Sequence, residues 1–152
     1  MSFDTPGGTR GVHMPGYLKP LMNLFNKFNI RKIRRSGTAF GMPHLVLHTL
    51  GAKSGQERAN PVAYFPGGQG RWLIVASYAG AAKNPAWYYN IGANPDKVRI
   101  DIDGRTVAVT AEELHGADRE AAWEQITTAA DRFVKYQQNT DRQLPILRLT
   151  AR

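Results

Sequence analysis

The chain has 152 residues, 42% of them hydrophobic, enough for one globular domain with a buried core and too few for a second of ordinary size. It has no cysteine, which excludes disulfides, thiolate metal sites and cysteine nucleophiles. No apolar run reaches membrane-spanning length and the N-terminus lacks the apolar core of a signal peptide, so a soluble cytoplasmic protein is expected.

The formal charge of +8 is lopsided: residues 1–58 hold nine Lys/Arg against two acids, residues 59–152 eleven against ten. Residues 1–16, with Pro6, Gly7, Gly8, Gly11, Pro15 and Gly16, read as a flexible arm that carries no chemistry, and residues 17–152 as a single domain. The domain opens with a basic amphipathic helix. Leu18, Leu21, Met22, Phe25 and Phe28 recur at helical spacing, and Lys19, Lys27, Arg31, Lys32, Arg34 and Arg35 share the segment with no acid. Such a helix caps the core with a solvated basic face, or lies on anionic lipid at the inner face of the cell membrane, or roofs a pocket for an anionic ligand. "HLVLHTL" and "RANPVAYF" read as strands on either side of the turn "GAKSGQER", and "RWLIVAS" as a third strand after "PGGQG".

"KNPAWYYNIGANP" predicts a short helix, with Asn84 as N-cap, Pro85 at the first position, and Gly92 and Pro95 as stop signals. "KVRIDI" and "RTVAVTAEEL" flank Asp103-Gly104, the favoured dipeptide of a tight hairpin. A second amphipathic helix starts at about Asp118 with Ala122, Ile126, Ala129, Ala130 and Phe133 on one face, and "LPILRL" makes a last strand. Six short strands, mostly hairpin-connected, with helices inserted among them imply a small β-barrel or β-roll of the α+β class. Alternating βαβ units are absent, which argues against a Rossmann fold.

Most catalytic chemistries lack their residues. There is no G-x-S-x-G elbow for nucleophilic hydrolysis. His44 and His48 flank "LVL" after a proline and read as strand residues rather than a helical zinc pair, so no metal site is expected. The carboxylates of "DID" and "AEEL" read as solvent-facing. The turn survives this elimination. It is not a P-loop, because its lysine lies between two strands, yet Lys53 and Arg58 supply charge, Ser54 and Gln56 neutral donors, and the glycines close backbone approach, as an oxyanion requires. A polar hairpin tip that keeps a sheet edge soluble is the other reading of the same residues.

The ordered set G-x-K-S-G-Q-x-R, N-P, A-S, K-N-P-x-W-Y and Y-Q-x-x-T-D-R, spread from Gly41 to the C-terminus, resembles the deazaflavin-dependent nitroreductase family, oxidoreductases that use coenzyme F-420. The resemblance implies a split β-barrel with the cofactor in a groove along it. It implies that Lys53, Ser54 and Arg58, with Gln56, hold the phosphate and acidic tail, and that Asn60, Pro61 and Val62 form the strand beside the cofactor. Ala76, Ser77 and Tyr78 would lie under the ring, and Trp87, Tyr88 and Asn90 would close that side. Relatives often carry a basic residue where this chain has Tyr78; Lys83 is the candidate to compensate. Phe133 and Tyr136 fall over the ring and the substrate pocket, which Leu24, Phe25 and Tyr64 would complete, and Tyr136 is either a proton donor or a packed helix-end aromatic.

The implied activity is hydride transfer from reduced F-420 to an electron-poor small molecule: a quinone, a nitroaromatic or an activated carbon–carbon double bond. A non-catalytic carrier of the coenzyme or of a lipid is the alternative. No nucleic-acid partner is expected, because the basic stretch lacks interleaved exposed aromatics. Monomer and homodimer both stay open.

Overall fold

One extended segment, residues 57–66, pairs at its two ends with different neighbours, and this closes the sheet into a barrel. The protein is described here from a computed structural model covering residues 3–13 and 15–152. In chain order the elements are α1 (Lys19–Ser36), β1 (Thr38–Ala39), β2 (Met42–Leu50), β3 (Glu57–Ala63), β4 (Phe65–Pro66), β5 (Arg71–Val75), α2 (Ala86–Ala93), β6 (Val98–Ile102), β7 (Arg105–Glu113), α3 (Gly116–Ala129), α4 (Arg132–Gln138) and β8 (Ile146–Ala151). The sheet runs β1-β2-β6-β7-β8-β5-β4, antiparallel throughout, with β3 on the other edge of β2. β3 lies along β2 as far as Ala63 opposite His44, and after Tyr64 the same chain pairs Phe65 with Leu73 of β5. The result is a split β-barrel. The six expected strands are all present, and the two additional ones, β1 and β4, are two residues each.

Strand periodicity sorts the apolar residues into separate cores. Leu45, Leu47, Ile74, Ile100, Val109, Leu147 and Leu149 fill the barrel, plugged by Trp87, Tyr88 and Ile91 of α2. Leu73 and Val75, the alternate residues of β5, face outward and pack under α3 and α4 with Ile126, Phe133 and Ile146. Val46, between Leu45 and Leu47 on β2, packs with Ile33 of α1. The Asp103-Gly104 hairpin forms as expected, with both residues at positive φ (51° and 73°) and Ile102 paired with Arg105.

Two expectations about helices are corrected. Asn84 is not the N-cap of α2: Pro85 occupies that place, because the Asn84 amide is spent on Arg142 and on the Thr5 carbonyl. The second amphipathic helix is two helices. Ala130 takes an extended conformation (φ −148°, ψ 93°) and closes α3, so Phe133 reaches the same outer core from a separate helix. The acids of "AEEL" also depart from the solvent-facing expectation at one position. Glu113 is 5% exposed and accepts hydrogen bonds from the hydroxyls of Tyr88 and Thr5. Burial, and then the bond to Glu113, raise the Tyr88 pKa, so this phenol stays protonated and donates.

Residues 3–13, expected to be a flexible arm, run along the body of the protein; Met1, Ser2 and Met14 of that arm lie outside the described residues. Gly8 N–H donates to the Ala82 carbonyl at 2.7 Å and Val12 N–H to Gly80 at 3.1 Å. Asp141 accepts from the Thr9 hydroxyl (2.6 Å) and the Arg10 amide (3.0 Å), bonds that pull its pKa down to about 2. Thr140 donates its hydroxyl to the Arg10 carbonyl at 2.6 Å.

The loop from Ala76 to Asn84, between β5 and α2, is held from the other side by Arg142. This residue is 2% exposed. Its guanidinium donates to the carbonyls of Ala76 (2.9 Å), Ser77 (2.8 Å) and Ala81 (3.0 Å) and to Asn84 Oδ1 (2.6 Å). No carboxylate takes part, and burial lowers the Arg142 pKa, so four neutral oxygens in fixed places compensate the desolvated charge. Replacing Arg142 by Met should therefore lower unfolding free energy by at least about 3 kcal/mol, because several buried acceptors lose their donor at once. Urea denaturation measures it, and a loss under about 1 kcal/mol would show that the loop holds itself.

Candidate active site

The turn between β2 and β3 is built by its glycines and by α2. Gly51 N–H donates to the Gln56 carbonyl at 2.8 Å and Gly55, at φ 68°, donates back to Gly51 at 2.9 Å. A Cβ on Gly51 would lie 2.5 Å from Ser54 Oγ, which accepts the Gln56 amide at 3.2 Å, so a side chain there would push the Ser54 hydroxyl off that bond. From α2, Asn90 Oδ1 accepts the Ala52 amide at 2.9 Å and Asn90 Nδ2 donates to Thr49 Oγ1 at 3.2 Å. Lys53, Ser54, Gln56 and Arg58 are all exposed on this braced turn, and the charged ends of Lys53 and Arg58 have no carboxylate partner among the described residues. Asn90 itself faces away from solvent with both ends of its amide used; it positions the turn.

Next to the turn lies a cleft of about 640 Å³. Asn60, Pro61, Val62 and Ala63 of β3 form one wall, and Ser77, Tyr78 and Ala79 with Trp87 of α2 form the end. Phe133, Tyr136 and Arg132 come from α4, and Met22, Phe25, Asn26 and Asn29 of α1 form the roof. Asn60 and Val62 share strand parity with Arg58, so β3 carries one face from the cationic turn into the cleft. The end wall is unusual backbone: Tyr78 and Ala79 both have positive φ (45° and 52°), and the Arg142 bonds on either side hold them there. Gly80, at φ 81°, admits α4 closely, since a Cβ on it would lie 2.4 Å from the Tyr136 carbonyl. Tyr136 packs edge-on against Phe133 (5.4 Å between centroids), and Phe133 against Phe65 (5.7 Å).

Several expected site residues stand elsewhere. Tyr88 is fully buried in the barrel core with its hydroxyl on Glu113, and Ala76 is fully buried with its carbonyl on Arg142. Lys83 is exposed beyond the cleft wall. Leu24 points to solvent, 66% exposed, because its helix turns another face to the protein. Tyr64, at the strand bend that closes the barrel, borders a second cavity of about 430 Å³ with Asp103 and Arg105. Burial raises its pKa.

Other cleft residues were not anticipated. His44 borders both cavities; its Nδ1 bonds the Met42 carbonyl at 3.0 Å, and burial, with Arg132 nearby, lowers its pKa and keeps the ring neutral at pH 7. Its fellow His48 instead pairs with Asp101 at 2.8 Å. On α1 the face turned inward carries Asn26 and Asn29, with Asn29 and Ile33 the helix's buried residues. Leu21, Phe25 and Phe28 remain exposed at 63%, 52% and 67%. The expected apolar packing face is thus mostly the solvent face. Asparagines recurring every third residue at 23, 26 and 29 were the available signal.

The family model described as F420H(2)-dependent quinone reductase matches residues 24–151. The F420H(2)-dependent quinone reductase Rv1261c of Mycobacterium tuberculosis (strain ATCC 25618 / H37Rv) is 39% identical over 113 residues, covering 72% of this chain and 74% of its own. The putative F420H(2)-dependent quinone reductase Rv3178 of the same strain is 34% identical over 113 residues, 73% and 92% of the two chains. Among solved structures, an F420-H2 dependent reductase (FDR-A) superposes with a TM-score of 0.63 at 35% identity, covering 70% of this chain and 93% of that one. The barrel closed through Tyr64, the cleft under α1 and these matches agree: the chain belongs to the F420H(2)-dependent quinone reductase family, oxidoreductases that depend on reduced F420.

Proposed function

We propose that the cleft under α1 is where this protein brings reduced F420 and a quinone together, with the coenzyme tail held at the Gly51–Gln56 turn. The observation that carries this reading is the continuity of the two features. A turn with two unopposed cations, Lys53 and Arg58, opens onto a strand face that runs into a cleft bounded by Trp87, Phe133 and Tyr136. That donor set fits a flat conjugated ring with an anionic tail: the turn offers charge and backbone amides, the cleft aromatic edges and a few polar groups. When bound, the coenzyme supplies hydride, and the protein supplies position and electrostatics. Ser77 and Tyr78, fixed through Arg142, and Asn60 and Val62 on β3 would set the ring's depth. Tyr136, whose hydroxyl has no partner within the protein among the described residues, stands where a proton can be given to a reduced acceptor.

Lys53→Ala or Arg58→Ala should each weaken coenzyme binding by about 1.5–3 kcal/mol, the scale of a charge-assisted hydrogen bond, with a smaller effect on a deazaflavin lacking the tail. Fluorescence titration of both ligands checks this; equal losses would place the two residues away from the tail.

For Tyr136→Phe the expected result is a single-turnover rate of coenzyme oxidation lowered by about 10²-fold or more with coenzyme affinity unchanged. A drop of less than roughly threefold would mean that solvent delivers the proton.

The exposed stripe Leu21, Leu24, Phe25 and Phe28, flanked by Lys27, Arg31, Lys32 and Arg35, supports a finer reading, in which α1 rests on anionic membrane and the acceptor arrives from the lipid. No helix among the described residues is long and apolar enough to cross a membrane, so contact would be peripheral. Sedimentation with phosphatidylglycerol vesicles should fall steeply with salt and be lost in a Leu24→Ser/Phe28→Ser variant. Binding indifferent to both changes would leave α1 as a roof only.

A further inference from the structure

Asn29 is 6% exposed, lies in the wall of the cleft, and its side-chain Nδ2 has no hydrogen-bond partner among the described residues. A buried amide donor left unmade is costly, and native proteins keep few of them without a use. Asn29 is also the innermost of a series. Asn23, Asn26 and Asn29 all border the cleft at helical spacing, exposed, half-buried and buried in that order, so they form a polar ladder from the mouth inward. Asparagine has low helix propensity, and Asn26 and Asn29 on the face turned to the protein contribute little to packing. Of the helix's apolar side chains, Leu21, Leu24 and Phe28 are in solvent, while Met22 and Ile33 face inward beside the amides. The walls made by β3, Ser77 and Trp87 lead in from the cationic turn, and the reading above gives them to the coenzyme. The ladder faces what remains.

We infer that the asparagine face of α1 is the oxygen-binding wall for the acceptor, and that Asn29 donates its amide hydrogen to a carbonyl oxygen of the quinone. The inference rests on the function proposed above. As a quinone takes up hydride, negative charge collects on its oxygen before a proton arrives, and a preplaced neutral donor in a site closed from water stabilises that charge. The same bond in the ground state would orient the ring.

The test separates this role from a packing one through three readouts on Asn29→Ala and Asn29→Leu. Since the native amide donor has no internal partner, thermal unfolding of the coenzyme-free variants should be unchanged or shifted upward. Binding of menadione to the complex with oxidised coenzyme, followed by tryptophan fluorescence, should weaken about tenfold, and kcat/KM for menadione should fall about tenfold to hundredfold. The absence of cysteine removes thiol addition to the quinone as a complication. Coenzyme affinity should stay within twofold. A triarylmethyl cation dye, which takes hydride at carbon and has no oxygen to bind, should be reduced by the variants as fast as by wild type.

Unaltered menadione binding and turnover in both variants would overturn the inference while leaving the family reaction intact. An equal loss with the dye, or destabilisation of the free protein, would overturn it in favour of packing. Loss of coenzyme affinity would move Asn29 to the coenzyme. Failure of the wild-type protein to reduce any quinone would instead remove the functional reading beneath it.

Discussion

A desolvated guanidinium at Arg142 organises the cleft end of this molecule. It carries no ion pair, and its four acceptors are three loop carbonyls and the Asn84 amide. A charge can be buried in this way only if oxygens converge on it in one geometry, so the loop from Ala76 to Asn84 has a single arrangement. That arrangement places Ser77 at the cleft, keeps Tyr78 and Ala79 at positive φ, and starts α2 so that Trp87 faces the cleft and Asn90 reaches the turn. The loop is clasped from outside by the N-terminal arm, which Thr140 and Asp141, the two residues before Arg142, hold in place. The run Thr140-Asp141-Arg142 therefore works as a staple, with two members on the arm and one on the loop.

The second organising feature is the orientation of α1. An amphipathic helix normally buries its apolar stripe, but here Asn26 and Asn29 face the protein beside Met22 and Ile33, while Leu21, Leu24 and Phe28 face outward. The arrangement loses hydrophobic stabilisation on folding, and in exchange places amides in the roof of the cleft and leaves an apolar, cation-flanked surface outside. Gly37 ends the helix at φ 74°, with its amide on the Ile33 carbonyl, and returns the chain through β1 to β2, so the roof is attached directly to the barrel.

One strand, β3, runs from the cationic turn to the cleft. Lys53 and Arg58 sit at and just beyond the turn, and the cleft is mixed: Trp87, Phe133 and Tyr136 line it together with asparagine amides, a neutral histidine, Lys19 and Arg132. Exposed charges such as those of Lys53 and Arg58 speed the approach of an anionic ligand.

The sequence by itself determined the strands, the hairpin at Asp103-Gly104 and the basic helix, because each rests on local period or on turn chemistry, while coenzyme and reaction class were read from the resemblance of its ordered motifs to a known family. It also supplied the glycine-bounded turn with its cations, since a turn between two strands exposes its side chains whatever the rest of the fold does. Only the tertiary structure decided which side chains of that set meet. Tyr88 and Asn90 sit in the same short helix as Trp87, but a helix shows each residue a different neighbour, and theirs are Glu113 and the turn rather than the cleft. Leu24, expected at the substrate pocket, is in solvent because an amphipathic pattern says that two faces differ, not which one a partner will cover. Arg142 entered only as the last residue of the Y-Q-x-x-T-D-R motif, since nothing local signals that four oxygens distant in sequence converge on it. Burial is a property of the assembled chain, and it is burial that turned this arginine, Glu113 and Asn29 from solvated groups into constraints.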